Sequence, residues 1–311
     1  MAESPVKVLD LIGGTPLLSL ERVHRGPGKI LAKAEFVQPG GSVKDRAALR
    51  IIQDARRSGR LAPGQPVVEM TSGNMGAGLA VVCNVFGHPF IAAMSEGNSR
   101  ARAEMLAALG AEVVPVPQVD GVPGRVTGRD IGAAVARAEK ITRDRGAYYV
   151  DQFNNPSCVL AHEEGTGPEI DAGAGDRLDA FVACVGTGGT FIGTSRYLKR
   201  QRSDIRCYAV EPRGAEVLAG RDVSKSCHLL QGTGYSIVPP QWDPDLTDGY
   251  LAVSDDEATE FRRKLAESEG LFVGFSAAAN VCAAVKLING GYLRSDPVVA
   301  TILCDTGLKY V

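Results

Sequence analysis

The chain has 311 residues, with 34 Lys or Arg against 36 Asp or Glu, a formal net charge of −2 at pH 7. That length suits two domains or one large α/β domain. The balanced charge, with 23% charged and 44% hydrophobic residues, gives no electrostatic case for nucleic acid or an anionic membrane.

No apolar run reaches the roughly 18 residues of a spanning helix, and "MAESPVKVLD" at the N-terminus has no signal-peptide core. The seven cysteines are scattered without a C-x-x-C pair, which reads as reduced cytosolic thiols used mostly as core filler. Four histidines without H-E-x-x-H give no expectation of a metal site. The expected location is the cytoplasm.

In chain order, strand-like runs alternate with helical patterns. "KILAKAEF" predicts a strand, and "PGGSVKDR" (39–46) turns from it into a helix whose Ala47, Ala48, Ile51, Ile52 and Ala55 keep a 3.6-residue period. Ser42 and Asp45 spell an S-x-x-D capping box, which predicts Ser42 as N-cap and puts Lys44 in the first turn. A cation there opposes the helix dipole at about 0.3–1 kcal/mol. Lys44 is therefore either a solvated lysine that tolerates the penalty or no ordinary ammonium.

"PVVEMT" leads through "SGNMG" into a helix over 77–87, and "PFIAAMS" into a helix over 99–109 followed by the strand "AEVVPVP". The stretch 118–130 is loop-rich, and 151–156 reads as a joint between two halves. "LDAFVACVG" leads through "TGGT" into a helix over 191–201, "IRCYAVEP" is the next strand, and "DPVVATILCD" closes the chain. An irregular stretch over 220–248 carries much Pro and Gly and reads as a cover for a cleft. No fixed-period repeat is visible. This rhythm predicts an α/β fold with mainly parallel sheets covered by helices and ligands at the strands' carboxyl ends.

Two loops sit where ligands gather. "GTGGT" (Gly186, Thr187, Gly188, Gly189, Thr190) joins a strand to a helix, which suits a phosphate on exposed N–H groups or an empty tight turn. A dinucleotide fold, with Glu211 as ribose acid, competes, but Phe191 fills the third glycine position of G-x-G-x-x-G. "TSGNMG" (71–76) offers Thr71, Ser72 and Asn74 to a small anion or stands as an N-capped turn. A lysine, a phosphate cradle and a carboxylate cradle would together serve a cofactor with an aldehyde and a phosphate, and an amino-acid substrate.

"GGSVKDR", "TSGNMG", "QFNNP", "TGPEI", "GTGGT", "GFSAAAN" and "CDTGLKY" occur in this order in the chain, after an opening "LIGGTPLL". In these motifs, over nearly its whole length, the chain resembles the cysteine synthase and cystathionine β-synthase family of pyridoxal-phosphate (PLP) enzymes of fold type II. The resemblance implies that Lys44 carries PLP as an internal aldimine and later serves as general base. Asn74 would bond the phenolic oxygen, Gly186–Thr190 the phosphate, and Ser276 the pyridine nitrogen. Thr71, Ser72, Met75 and Gln152 would surround the substrate carboxylate, with Gly232 on a substrate-gating loop.

The implied reaction is β-replacement on an activated L-serine, O-acetyl-L-serine first, with sulfide to give L-cysteine through an α-aminoacrylate. The alternatives are another donor or nucleophile (O-phosphoserine, homocysteine, cyanide or an amine), or a non-catalytic PLP-fold protein that binds a partner's C-terminus. The family also implies a homodimer with PLP between two domains, residues 1–12 with 35–151 and residues 13–34 with 152–311. With the chain ending soon after its last strand, no appended regulatory domain is expected.

Some positions depart from the family pattern. Met75 stands where threonine is common, and Ala277 and Ala278 where "SG" is common; Phe275 adds bulk. Of the remaining chemistry-bearing residues, Cys184 and Cys304 read as core packing in strands, and Cys158 as filler or a more exposed thiol. His162 and Glu163 read as a surface pair or interdomain contact, and Trp242 as packing or a subunit contact.

Overall fold

The computed structural model describes residues 5–124 and 126–311; within the stretch 118–130, Arg125 lies outside the described residues, as do residues 1–4 of the N-terminal segment. The elements, in order, are β1 (Leu17–Leu20), β2 (Lys29–Ala34), α1 (Lys44–Arg57), β3 (Val67–Met70), α2 (Asn74–Phe86), β4 (Phe90–Ser95), α3 (Arg100–Ala108), β5 (Glu112–Val116), α4 (Gly128–Arg145) and β6 (Tyr148–Tyr149). Next come α5 (Ser157–Ala161), a π-helical turn at His162–Thr166, α6 (Gly167–Ala174), β7 (Ala180–Cys184), α7 (Gly189–Gln201) and β8 (Arg206–Pro212). The last are β9 (Gly249–Val253), α8 (Asp255–Glu269), α9 (Phe275–Asn289) and β10 (Val298–Leu303). No described helix is long and apolar enough to cross a membrane.

The chain divides into two units. One holds the residues up to Ile12 with Gln38–Cys158, the other Gly13–Val37 with Val159–Val311. The sequence reading drew two of these joints at 34/35 and 151/152. Side-chain bonds account for the difference. Thr15 Oγ1 donates to the buried Glu35 at 2.7 Å and keeps 35–37 in the second unit. Gln152 Nε2 donates to Glu69 at 3.1 Å, and Cys158 Sγ to the Gln152 carbonyl at 3.3 Å, which keeps 152–158 in the first.

The first unit is a parallel four-stranded sheet in the order β5-β4-β3-β6. Alternation along the strands splits its faces. Val67 and Ala92 point into the core under α1 and α2 with Ile51, Ile52 and Leu79. Val68 and Ile91 point to the other face, against Ala134, Ala138 and Ile141 of α4. Pro115, which cannot donate to a ladder, sits on the edge strand β5, where its missing N–H is tolerated.

The second unit is a six-stranded sheet in the order β1-β2-β10-β7-β8-β9, parallel except for β1 against β2. The Ala-rich α9 is apolar nearly all round and lies in the core against Ala180, Val182 and Val299. A buried cation ties this unit's first strands to α6: Lys33, 2% exposed, pairs with Glu169 at 2.8 Å and also donates to the Thr15 carbonyl.

Candidate active site

In the first unit the lysine loop and the carboxylate loop meet through small residues. α1 begins at Lys44 itself, and its N-cap is Val43 rather than Ser42. The expected capping box is replaced: Ser42 Oγ accepts from the Lys44 N–H at 3.3 Å, and the Asp45 carboxylate accepts from Gly40 N–H. Lys44 is half-buried. Gly78 of α2 lies so close to α1 that a Cβ there would stand 3.1 Å from Asp45 Cα, so the two helix starts cross with Lys44 on one and Asn74 on the other.

The 71–76 loop folds on Thr71, whose Oγ1 accepts from Gly76 N–H at 3.1 Å and keeps its own O–H as a donor. Ser72 and Asn74 are half-buried. Met75 is 3% exposed and packs in the apolar core with Leu79 and Leu106, so it presents no polar group.

Gln152 follows Asp151, which takes the left-handed conformation at φ 50. The turn is braced by Asn155 Nδ2 donating to the Val150 carbonyl at 2.9 Å. Beneath it lies Glu69, which sequence reasoning passed over. The signal was available, a lone charge inside the apolar strand "PVVEMT". Burial pushes its carboxyl up to about 8, the nearby Asp151 charge adds to the rise, and the hydrogen bond from Gln152 opposes it. Cys158 is buried filler, its thiol pushed up to about 12 by burial.

In the second unit β7 ends in the glycine loop. A Cβ on Gly186 would stand 2.1 Å from the Gly232 carbonyl oxygen, so Gly232 lies against the loop. Gly188 takes φ 94 and is the N-cap of α7, which has no side-chain cap. The helix is anchored from below, where Phe191 stacks between Phe181 and Trp242 with centroids 6.1 and 5.5 Å away. Thr190 Oγ1 lies 3.2 Å from His162 Nε2, and His162 Nδ1 lies 2.9 Å from Thr166 Oγ1.

The surface reading of His162 is therefore corrected: it is 1% exposed, turned inward by the π-helical turn, while Glu163 alone stays outward with Arg196 and Arg200. Gly193 makes that packing possible, since a Cβ there would meet the Val159 carbonyl at 2.2 Å.

Ser276 is the second residue of α9. Asn280, one turn on, accepts from Cys184 N–H at 2.6 Å and donates to the Ile302 carbonyl at 2.8 Å. It thereby locks the start of α9 to β7, the strand that delivers the glycine loop. Sequence reasoning missed Asn280, although it is the one amide in the Ala-rich stretch "SAAANVCAAV". Cys184 is buried in β7 as expected; Cys304 lies just past β10 and is half-buried.

The uncapped N-terminus of α7, behind Gly186, which admits no Cβ, and Gly188, held at φ 94, offers backbone N–H groups of the kind that can hold a single phosphate. Residues 8–305 match the family described as pyridoxal-phosphate dependent enzyme. The chain belongs to that family. It is 36% identical over 314 residues to a cysteine synthase of Staphylococcus aureus, covering 100% of this chain and 97% of that one.

Among solved structures of this PLP-dependent family, an O-ureido-L-serine synthase superposes with a TM-score of 0.89 at 35% identity, over 98% of this chain and 94% of its own. An O-acetylserine dependent cystathionine β-synthase from Helicobacter pylori superposes at 0.87 and 32%, over 100% and 98%. The protein is thus a cysteine-synthase-like PLP enzyme with the α/β architecture of fold type II.

Proposed function

We propose that the enzyme replaces the β-substituent of O-acetyl-L-serine with sulfide, releasing acetate and giving L-cysteine. The observation that carries this reading is the crossing of α1 and α2, which sets Lys44 beside the 71–76 loop, in a chain 36% identical to a cysteine synthase. When bound, PLP supplies an electron sink for negative charge at the substrate Cα.

Lys44 Nζ would hold the cofactor, and its amine would serve as the base that takes the α-proton and returns it to Cα. Amides of Gly186, Thr187, Gly188, Gly189 and Thr190 would hold the phosphate at the positive end of α7. Asn74 would bond the phenolic oxygen. The neutral Ser276 hydroxyl would serve the ring nitrogen, where the lack of a carboxylate would keep the sink moderate and suit β-elimination. Thr71, Ser72 and Gln152 bind the α-carboxylate, with Met75 as an apolar support, and Gly232 lies on the gating segment.

A second reading keeps this chemistry and changes the nucleophile, supported by the similarity to an O-ureido-L-serine synthase and by Met75, which takes a hydroxyl out of the substrate loop. One experiment separates the two. Holoenzyme is mixed with O-acetyl-L-serine or O-phospho-L-serine while the cofactor absorbance is followed, and then with sulfide, homocysteine, cyanide or an amine. A shift with O-acetyl-L-serine that sulfide reverses with release of L-cysteine is expected. A shift confined to O-phospho-L-serine, or reversal by another nucleophile but not by sulfide, would overturn the assignment.

A further inference from the structure

Glu69 is the buried acid that the mechanism above does not use. It lies in β3 opposite Ala92 of β4, on the face covered by α1 and α2, and is 1% exposed. One oxygen, Oε1, lies 3.1 Å from Gln152 Nε2. The other, Oε2, is buried, and among the described residues it has no hydrogen-bond partner and the carboxyl no cation in an ion pair. A carboxylate in such a place would be a buried charge without a cationic partner.

The groups that face it do not invite ionisation. Asp151 and the Tyr149 phenol come from β6 and the turn after it, and the Cys158 thiol from the start of α5. Lys44, from α1, acts on Cys158. The Gln152 side-chain amide and the backbone amides of Asp151 and Gln152 favour the charged form, and burial outweighs them.

We propose that Glu69 is a positioning residue for substrate recognition: as a neutral acid it hydrogen-bonds the Gln152 amide and keeps negative charge away from the place where that amide meets an α-carboxylate. This rests on the reading of Gln152 as part of the substrate-carboxylate site. The neutral carboxyl orients the amide, so an N–H is presented to the incoming anion. Loss of the proton would put an anion behind the amide, compete for its donors and repel the substrate. The site therefore accepts amino acids best below the pH at which Glu69 ionises, a limit separate from any set by Lys44.

The test uses holoenzyme of the wild type, Glu69→Gln and Gln152→Ala. Two probes are titrated by cofactor absorbance: O-acetyl-L-serine, and L-alanine, which has the carboxylate but no leaving group. The amine of each probe titrates equally for all three proteins, so the ratio of wild-type to Glu69→Gln Kd isolates residue 69. That ratio is expected to rise about tenfold between about pH 6.5 and about pH 9, with an infrared band of a neutral carboxyl at neutral pH that the Glu69→Gln protein lacks.

A flat ratio, or no such band, overturns the proposal even if the glutamine variant folds poorly, because the band is read on the wild type. If Gln152→Ala binds L-alanine as tightly as wild type, the carboxylate-site reading falls and the proposal with it. If Gln152→Ala weakens binding while the ratio stays flat, only the role of Glu69 falls.

Discussion

The first unit ends its strands in side chains, and the second ends them in backbone. Around 44, 71–76 and 152 the groups on offer are an amine, hydroxyls and amides, steadied by a buried acid and a strained turn. Around 186–190 they are peptide N–H groups, steadied by Gly186, which leaves no room for a Cβ, by Gly188 at φ 94 and by a helix anchored through Phe191. A side-chain site can lose its chemistry and keep its fold. A backbone site cannot, because what binds is the fold itself.

The contrast breaks first at Lys44. Lys44→Ala should lower turnover by about 10²–10⁴-fold while far-ultraviolet circular dichroism stays that of the wild type; a large stability loss instead would make residue 44 a structural residue.

The next largest effect is on stability against pH. Glu69 has its ordinary value of 4.5 in the unfolded chain and about 8 in the folded one, so the folded chain holds the proton more tightly. Its contribution is full below about 4.5 and is lost as pH rises through about 8, at up to about 1.4 kcal/mol per pH unit. Melting curves of wild type and Glu69→Gln should diverge in favour of the variant as pH rises from about 4.5 to about 8, on the order of that slope, and run parallel above it.

In the second unit the expected effects are structural. Asn280→Ala removes the side-chain acceptor of the Cys184 N–H and the amide donor to the Ile302 carbonyl and should cost about 2–4 kcal/mol, read as a lower melting temperature. Gly186→Ala must move the Gly232 carbonyl and should cost about 1–3 kcal/mol together with PLP affinity, measured by dialysis. Smallest is Thr190→Val, which removes one oxygen beside His162 and should weaken PLP binding by about tenfold or less.

Three stretches with the same capping signature show how far local pattern reaches. Thr127–Asp130 and Ser254–Glu257 close reciprocal boxes at the starts of α4 and α8. Ser42 and Asp45 do not, because Asp45 is drawn to Gly40 N–H by the turn that precedes the helix. The helices α1, α2, α3 and α7 and the strands β2, β3, β4, β5, β7, β8 and β10 were visible in the sequence. The strands β1, β6 and β9 and the helices α4, α6, α8 and α9 were not singled out there, α4 because it begins inside the loop-rich stretch 118–130. His162 was misjudged for a different reason: the π-helical turn rotates it inward, and nothing within five residues of sequence announces a π turn.

Sequence alone determined the alternation of strand and helix, the order of the loops and the chemical types placed on them. All of these follow from nearest-neighbour periodicity and from glycine's freedom to turn. Tertiary structure decided which polar groups are buried and with whom: Glu69 under Gln152, His162 behind Thr190, Asn280 between two strands, Met75 inside the core. Burial and partner choice depend on residues tens to a hundred positions apart, and they set the desolvation that separates an inert side chain from one that tunes a site.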